Sequence, residues 1–239
     1  MTTVLITGAS RGIGFALTQR YIQRADTTVI ACCRNPQDAA PLQALAQRSS
    51  AVEIEPLDVA DPADFATLKT RVGARPIDIL ISNAGIFGKS LPATTGFEDQ
   101  RFGASDFEHD WVAPFRINAI APMMLAETFV DNVAQSTEKK MPIITSIVGS
   151  ITRAHGFMFG YAASKAAANM TARNLSVALR ERDIIVNPVH PGYVRTEMSG
   201  ENADIDIDTS IDGVLRCIDG MSLETSGEFL SYNQQPLPW

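Results

Sequence analysis

Apolar residues in this chain are concentrated in short blocks, separated by longer stretches in which apolar and polar residues alternate with helical spacing. The blocks at residues 4–7 and 28–33 are continuous enough to be strands buried on both faces of a sheet. The pattern predicts seven strands, at residues 4–7, 28–33, 52–57, 77–82, 142–147, 184–189 and 228–231.

The stretches between these blocks are predicted to be helices. Asp61-Pro62 combines a helix-capping residue with a first-turn proline, and Phe65 and Leu68 follow at helical spacing. Strands that alternate with helices form parallel βαβ units with right-handed crossovers. We therefore expect an α/β fold in one domain spanning residues 1–239: a doubly wound parallel sheet of about seven strands with helices on both faces.

The composition is that of a folded, soluble protein. Of the 239 residues, 45% are hydrophobic and 20% are charged, which argues against a disordered chain. The net charge of -7 argues against a general surface for nucleic acids or anionic membranes, so neither is expected as a partner. The chain enters its first strand without a signal-like segment and has no long apolar span, so we expect a cytoplasmic protein.

Neither a disulfide framework nor a metal site is expected. The chain has three cysteines, and the adjacent Cys32 and Cys33 are unsuited to bridging each other. His109, His155 and His190 are scattered without the spacing of metal ligands.

A glycine-rich segment follows the first predicted strand and precedes an amphipathic stretch at residues 15–24. Gly8 permits a tight turn, Gly12 lets backbone amides approach a pyrophosphate, and Gly14 allows close packing of helix on strand. The positive end of the helix attracts anionic phosphates. The segment predicts a dinucleotide site, and the alternative is an ordinary glycine-rich loop.

The end of the second predicted strand bears on the choice of cofactor. NAD-binding folds usually carry an acidic residue there for the ribose 2′-hydroxyl, whereas a basic residue accommodates the 2′-phosphate of NADP. Arg34 stands at this position and Arg11 lies in the glycine-rich segment, so two guanidinium groups could meet one phosphate. We predict NADP(H); the alternative is that Arg34 points into solvent.

Tyr161 and Lys165 stand four residues apart in an alanine-rich stretch, so on a helix both side chains project from one face. A neighbouring ammonium favours the phenolate and lowers the pKa of a tyrosine from about 10. The pair is a candidate proton donor, although Tyr-Lys pairs at this spacing also occur on many surface helices.

These features occur with others in an order that resembles the short-chain dehydrogenase/reductase family, whose glycine spacing is Gly-x-x-x-Gly-x-Gly. The matching landmarks are residues 7–14, Leu57-Asp58-Val59, Ser82-Asn83-Ala84-Gly85, Asn118, Ser146, Tyr161 with Lys165, and residues 191–196. Residues 33–35 and the carboxyl end resemble a subgroup of this family, the sniffer-type carbonyl reductases and C-signal-like proteins.

The resemblance implies a Rossmann-type fold and a set of cofactor contacts. Asp58 and Val59 match positions that frame the adenine, and Ser82 stands where the family commonly has asparagine. The implied contacts are Gly8, Ser10, Arg11, Gly12, Ile13, Gly14, Arg34, Asp58, Val59, Asn83, Ala84, Gly85, Tyr161, Lys165, Pro191, Gly192, Val194 and Thr196.

The implied chemistry is reduction of a small-molecule aldehyde or ketone to an alcohol, or the reverse. Tyr161 would donate the proton, while Lys165 would lower the pKa of Tyr161 and hold the nicotinamide ribose. Ser146 would hydrogen-bond the carbonyl oxygen, with Thr145 and Ser150 as rival hydroxyls.

Asn118 matches the family residue that steadies a water-linked proton path to the lysine. An asparagine within a helix is also commonly a satisfied buried amide, and this alternative stays open.

Two segments interrupt the alternation of strands and helices. Residues 87–106 are either a substrate-side loop or a mobile surface loop. Residues 197–208 contain an Asp-x-Asp-x-Asp run, but Thr209 and Leu215 replace the glycine and glutamate of a calcium loop. We expect a solvated lid or loop there.

A different class of function is a redox sensor or signalling protein that binds the cofactor with little turnover. The helices that carry Asn118 and Tyr161 resemble elements that pair in family homodimers and homotetramers, yet their apolar faces could equally pack on the sheet of a monomer.

Overall fold

A computed structural model of the protein describes residues 1–89 and 101–239. Within them, parallel strands form one sheet: β1 (Thr2–Thr7), β2 (Thr27–Cys33), β3 (Val52–Pro56), β4 (Ile79–Ile81), β5 (Lys140–Ile144), β6 (Ile185–His190) and β7 (Leu230–Ser231). Their order across the sheet is β3-β2-β1-β4-β5-β6-β7. The winding direction reverses between β1 and β4, and a doubly wound sheet binds its ligand at the carboxyl ends of the strands beside such a reversal.

Helices pack on both faces of this sheet: α1 (Gly12–Tyr21), α2 (Ala40–Arg48), α3 (Pro62–Val72), α4 (Ala121–Ala134), α5 (Phe159–Ala178) and α6 (Ile207–Asp219). Leu17 of α1, Leu42 of α2 and Ile211 of α6 belong to one hydrophobic core. Helices α3, α4 and α5 supply the other, with Phe65 and Phe129 among its buried side chains. The predicted α/β fold with helices on both faces is confirmed.

The strand that leads to Ser146 differs from its predicted range of 142–147. β5 begins at Lys140, which is buried and donates a hydrogen bond from Nζ to the Asp219 carbonyl oxygen at 3.2 Å. A lysine that buries its aliphatic stem escapes a search for apolar blocks. The strand ends at Ile144, so Ser146 lies beyond it, where its side chain caps a short 3₁₀ turn.

Aspartates begin two of the helices. The carboxylate of Asp61 accepts a hydrogen bond from a first-turn amide of α3 at 2.9 Å, as its sequence context predicts. The carboxylate of Asp206 accepts from the Thr209 amide at 2.7 Å, and Asp208 pairs with Arg20 at 3.2 Å. The end of the acidic run therefore caps α6 and forms a surface ion pair, which corrects its assignment to a loop.

The described residues include no helix long and apolar enough to cross a bilayer. Cys32, Cys33 and Cys217 are all buried and free. Burial raises the pKa of the Cys33 and Cys217 thiols, as expected for unreactive core side chains.

Candidate active site

The glycine-rich segment forms a tight turn between β1 and α1. Gly8 has φ +68° and Gly12 has φ +54°, the left-handed region that favours glycine. A Cβ at Gly14 would lie 2.3 Å from the Gly8 carbonyl oxygen and 2.5 Å from Asn83 Nδ2. The first turn of α1 therefore packs directly on the backbone of the turn, which leaves no room for a side chain.

The loop after β4 is fastened to this turn by hydrogen bonds. The amides of Asn83 and Ala84 donate to Thr7 Oγ1 at 3.0 and 3.1 Å. Asn83 Nδ2 donates to the Thr7 carbonyl oxygen at 2.9 Å. A Cβ at Gly8 would lie 2.9 Å from Ala84 Cα, so the two loops are in direct contact. The predicted cofactor residues Asn83 and Ala84 thus also fix the shape of the glycine turn.

A cavity of about 370 Å³ lies beside the glycine turn. Its lining residues are Ser10, Arg11, Arg34, Asn35, Asp38, Ala39, Pro41 and Glu197. Both arginines singled out from the sequence face this one cavity. Arg34 is exposed and has no hydrogen-bond or ion-pair partner among the described residues, so its guanidinium is available to a ligand.

Tyr161, Ser146 and Lys165 come together where β5 and α5 meet. The Ser146 side chain lies beside the Tyr161 hydroxyl, where its hydrogen bonding favours the phenolate. Lys165 Nζ lies 5.8 Å from the centroid of the Tyr161 ring and donates to the Ile144 carbonyl oxygen at 3.2 Å. The helical spacing predicted from the sequence therefore brings the ammonium beside the phenol, and the loop after β5 brings the serine to the hydroxyl.

The structure separates Ser146 from its two rivals. Thr145 Oγ1 donates to Asn169 Oδ1 at 2.8 Å, within the body of the protein. Ser150 Oγ is buried and has no hydrogen-bond partner within residues 1–89 and 101–239. Among these three hydroxyls, the one that contacts Tyr161 is that of Ser146.

Asn118 lies in a π-helical segment, Phe115–Ile120, that leads into α4. Its side chain accepts from the Ile86 amide at 2.9 Å and donates to the Ile86 carbonyl oxygen at 2.8 Å and to Ser164 Oγ at 2.9 Å. A Cβ at Gly85 would lie 3.2 Å from Asn118 Oδ1 and 3.5 Å from Lys165 Nζ. Asn118 is thus a satisfied buried amide that also borders the lysine.

The comparison with known families agrees with this arrangement. The family model described as short chain dehydrogenase matches residues 2–206. The chain belongs to the short-chain dehydrogenase/reductase family of oxidoreductases.

Individual known proteins resemble the chain over most of its length. The C-signal protein of Myxococcus xanthus is 34% identical over 171 residues, which are 71% of this chain and 97% of that protein. The carbonyl reductase Sniffer of D. melanogaster has a TM-score of 0.89 at 27% identity, and both chains are covered in full. The NADPH-bound carbonyl reductase from chicken fatty liver has a TM-score of 0.87 at 31% identity, with 100% of this chain and 99% of that chain covered.

The pKa of Tyr161 is raised, whereas its pairing with Lys165 predicted a lowered pKa. Burial raises the pKa of Tyr161 to about 12, and the hydrogen bond from Ser146 opposes the rise. Burial also lowers the pKa of Lys165 to about 8. The sequence indicated an attractive charge pair, but the loss of water around both groups dominates.

Replacing Lys165 with methionine should stabilise the nucleotide-free protein at neutral pH, because it removes a buried ammonium. The pKa of Lys165 is about 8 when folded, against its ordinary value of 10.5. Between these values the unfolded chain binds more protons, so the free energy of unfolding of the wild type rises with pH across that window. We expect the free energy of unfolding of the variant to exceed that of the wild type by about 1–3 kcal/mol at pH 7. In the variant this free energy should not rise between the two pKa values. Urea denaturation from pH 7 to 11 measures the difference at pH 7 and the dependence on pH. If the variant shows the same stability and the same pH dependence as the wild type, the claim that Lys165 is a buried charge is wrong.

The segment at residues 191–196 reaches back to the glycine turn. Gly192 has φ +92°, and a Cβ there would lie 2.5 Å from Ile205 Cδ1. A Cβ at Gly12 would lie 3.9 Å from Thr196 Cγ2. The approach of Thr196 to Gly12 places the predicted nicotinamide segment next to the predicted pyrophosphate segment.

The remaining predicted contacts belong to the loop after β3. Asp58 Oδ1 accepts from the Ala60 amide at 2.9 Å, and the Asp58 amide donates to Asp64 Oδ2 at 2.7 Å. Val59 packs against the second hydrophobic core. This loop is therefore held by its own hydrogen bonds and by α3.

Two acids that were not predicted from the sequence, Asp38 and Glu197, line the cavity. Asp38 follows Arg34 by four residues, beyond the strand-end position where an acid is expected in NAD-binding folds. Glu197 is 186 residues from Arg11 in the chain, yet its Oε2 lies 2.5 Å from Arg11 Nη1. A local sequence pattern cannot predict a contact between residues this far apart in the chain.

Of the predicted loop at residues 87–106, residues 90–100 lie outside the described part of the chain. The carboxylate of Asp110, which is 1% exposed, accepts hydrogen bonds from the amides of Lys89 and Asp106, both at 2.8 Å. Asp110 therefore ties together the two described ends of this loop.

Proposed function

We propose that the protein is an NADP(H)-dependent carbonyl reductase that interconverts a small-molecule aldehyde or ketone and the corresponding alcohol. The observation that carries the proposal is the contact of the Tyr161 hydroxyl with Ser146 beside the buried Lys165. A proton donor and a hydrogen-bond donor that converge on one point suit a carbonyl oxygen. The likeness to carbonyl reductases, one of them NADPH-bound, supports the same reaction.

When bound, the nicotinamide would supply the hydride. Ser146 donates a hydrogen bond to the carbonyl oxygen and holds it next to Tyr161. Tyr161, with its pKa near 12, is a neutral phenol at pH 7 and so carries the proton that the developing alkoxide needs. The Lys165 ammonium stabilises the phenolate that remains, and it would also hold the nicotinamide ribose, as the family resemblance implies. Asn118 borders Lys165, which suits a positioning role.

The glycine turn and the cavity fit a phosphorylated dinucleotide. The close backbone contacts at Gly8 and Gly14 pack the turn against the N-terminus of α1, and the amides of a helix N-terminus suit a pyrophosphate. Arg11 and Arg34 line one cavity, where two guanidinium groups suit a 2′-phosphate.

Replacing Arg34 with aspartate should move the cofactor preference towards NADH. The variant loses a charge-assisted contact to the 2′-phosphate and gains an acceptor for the ribose hydroxyls. We expect the ratio of the NADPH and NADH dissociation constants to shift by about 10- to 100-fold in favour of NADH. Arg48→Asp is the matched control, because Arg48 is exposed at the end of α2 and does not line the cavity. Equal or tighter binding of NADH by the wild type would defeat the NADP(H) assignment.

The proposed reaction is tested by the loss of absorbance at 340 nm when the protein is incubated with NADPH and a panel of aldehydes, diketones and quinones. Consumption that depends on both protein and carbonyl compound is the expected result. Binding of NADPH without consumption across a broad panel would favour the redox-sensor alternative.

We further propose that residues 1–239 act as one domain, which the continuous seven-stranded sheet supports.

We also propose that the protein forms a homodimer or homotetramer. Exposed apolar side chains on the outer face of α5 support this, with Met170 at 60% and Val177 at 66% exposed. Light scattering of the purified protein measures this directly.

A further inference from the structure

Glu197 and Arg11 form an ion pair in the wall of the cofactor cavity. Glu197 Oε2 lies 2.5 Å from Arg11 Nη1, and both residues line the cavity together with Arg34. The side chains of Arg11 and Glu197 are 71% and 70% exposed. An ion pair this exposed is weak, since solvent and salt screen it, and it exchanges readily for a stronger partner.

Glu197 is held in place by the segment that carries it. This segment, residues 193–206, is here called the strap. Val194 and Ile205 pair in an isolated parallel bridge, and the Arg195 guanidinium donates to the Ala203 carbonyl oxygen at 3.0 Å. The Thr196 amide donates to Ser199 Oγ at 3.3 Å. The strap thus closes on itself on either side of Glu197 and presents the carboxylate to the glycine turn.

The pairing leaves the two cavity arginines in different states. Arg34 has no partner among the described residues, whereas the charge of Arg11 is already compensated by Glu197. A phosphate that enters the cavity therefore meets one available guanidinium and one that must first release a carboxylate. If both anions stayed on Arg11, they would repel each other at short range.

We propose that Glu197 competes with the 2′-phosphate of NADP(H) for Arg11 and is thereby a specificity-determining residue for the cofactor. The proposal rests on the NADP(H) assignment made above. Binding of NADP(H) displaces Glu197 from Arg11, whereas NAD(H), which has no 2′-phosphate, leaves the pair intact. Glu197 accordingly weakens the binding of NADP(H) selectively. It therefore reduces the difference in affinity between NADP(H) and NAD(H).

The test is calorimetric titration of Glu197→Gln with NADPH, NADH, adenosine 2′,5′-bisphosphate and 5′-AMP. We expect about two- to fivefold tighter binding of NADPH and of the bisphosphate, and unchanged binding of NADH and 5′-AMP. Glu201→Gln is the matched control, since Glu201 is an exposed carboxylate of the same strap that does not line the cavity. It should bind all four ligands as the wild type does.

A double-mutant cycle gives a second readout. In an Arg11→Met background the Glu197→Gln substitution should no longer change NADPH affinity, because the contested guanidinium is gone. The proposal is overturned if Glu197→Gln leaves NADPH affinity unchanged, if it shifts all four ligands equally, or if its effect survives in Arg11→Met. A wild-type protein that binds NADH as tightly as NADPH would instead refute the cofactor assignment, so the two failures are distinguishable.

Discussion

Replacing Tyr161 with phenylalanine should lower kcat by about 10²- to 10⁴-fold and leave the dissociation constant of NADPH within about twofold of the wild-type value. The substitution removes the hydroxyl that contacts Ser146 and keeps the ring. That ring packs against Phe87, with centroids 4.7 Å apart, so the phenylalanine has the same neighbours. The expected loss is therefore one of proton transfer and not of folding or cofactor binding.

Tyr21→Phe is the control for loss of a phenol. The Tyr21 hydroxyl is buried in α1 and has no hydrogen-bond partner in the described part of the chain, so its removal should change neither turnover nor affinity. Steady-state kinetics and a fluorescence titration with NADPH measure both quantities for each variant. Wild-type turnover in Tyr161→Phe would show that another group donates the proton.

Replacing Gly160 with alanine should destabilise the protein by more than about 4 kcal/mol or prevent folding. A Cβ at this position would lie 1.7 Å from the Asp110 carbonyl oxygen and 2.8 Å from the Asp110 carbonyl carbon. Both atoms are backbone, and the hydrogen bonds that Asp110 accepts from Lys89 and Asp106 hold that backbone in place. Relief of the overlap would move the start of α5, one residue before Tyr161.

Gly220→Ala is the matched control for this substitution. Gly220 ends α6 with φ −80°, and a Cβ there would meet no atom closer than the Arg216 carbonyl oxygen at 3.3 Å. We expect a change in the free energy of unfolding within about 1 kcal/mol. Urea denaturation followed by circular dichroism compares the two variants, and a wild-type midpoint for Gly160→Ala would disprove the close contact.

The features that were predictable from the sequence are those set by local spacing. Apolar blocks such as residues 28–33 identified the strands because a parallel sheet covered on both faces buries every side chain of a strand. The pairing of Tyr161 with Lys165 followed from the period of a helix. Glycines at fixed offsets after β1 identified the turn because a backbone that packs this closely excludes a Cβ.

The features that escaped prediction depend on burial and on long-range contact. The sequence indicated a lowered pKa for Tyr161, but the packing around the ring is a property of the whole fold and raises the pKa. The apolar pattern does not identify Lys140 as the start of β5, because a charged residue can bury its aliphatic stem. The contact of Arg11 with Glu197 joins distant parts of the chain, so no spacing rule applies to it.

The central claim, that this chain reduces carbonyl compounds with NADPH, is tested most directly by isotope transfer. The wild-type protein is incubated with NADPH that carries deuterium at both hydrogen positions of the reactive nicotinamide carbon and with the aldehydes and diketones of the panel, and the products are analysed by mass spectrometry. The account predicts an alcohol with one deuterium on the former carbonyl carbon, formed at least about 10²-fold more slowly by Tyr161→Phe. Stable binding of NADPH with no deuterated alcohol from any member of the panel would contradict it.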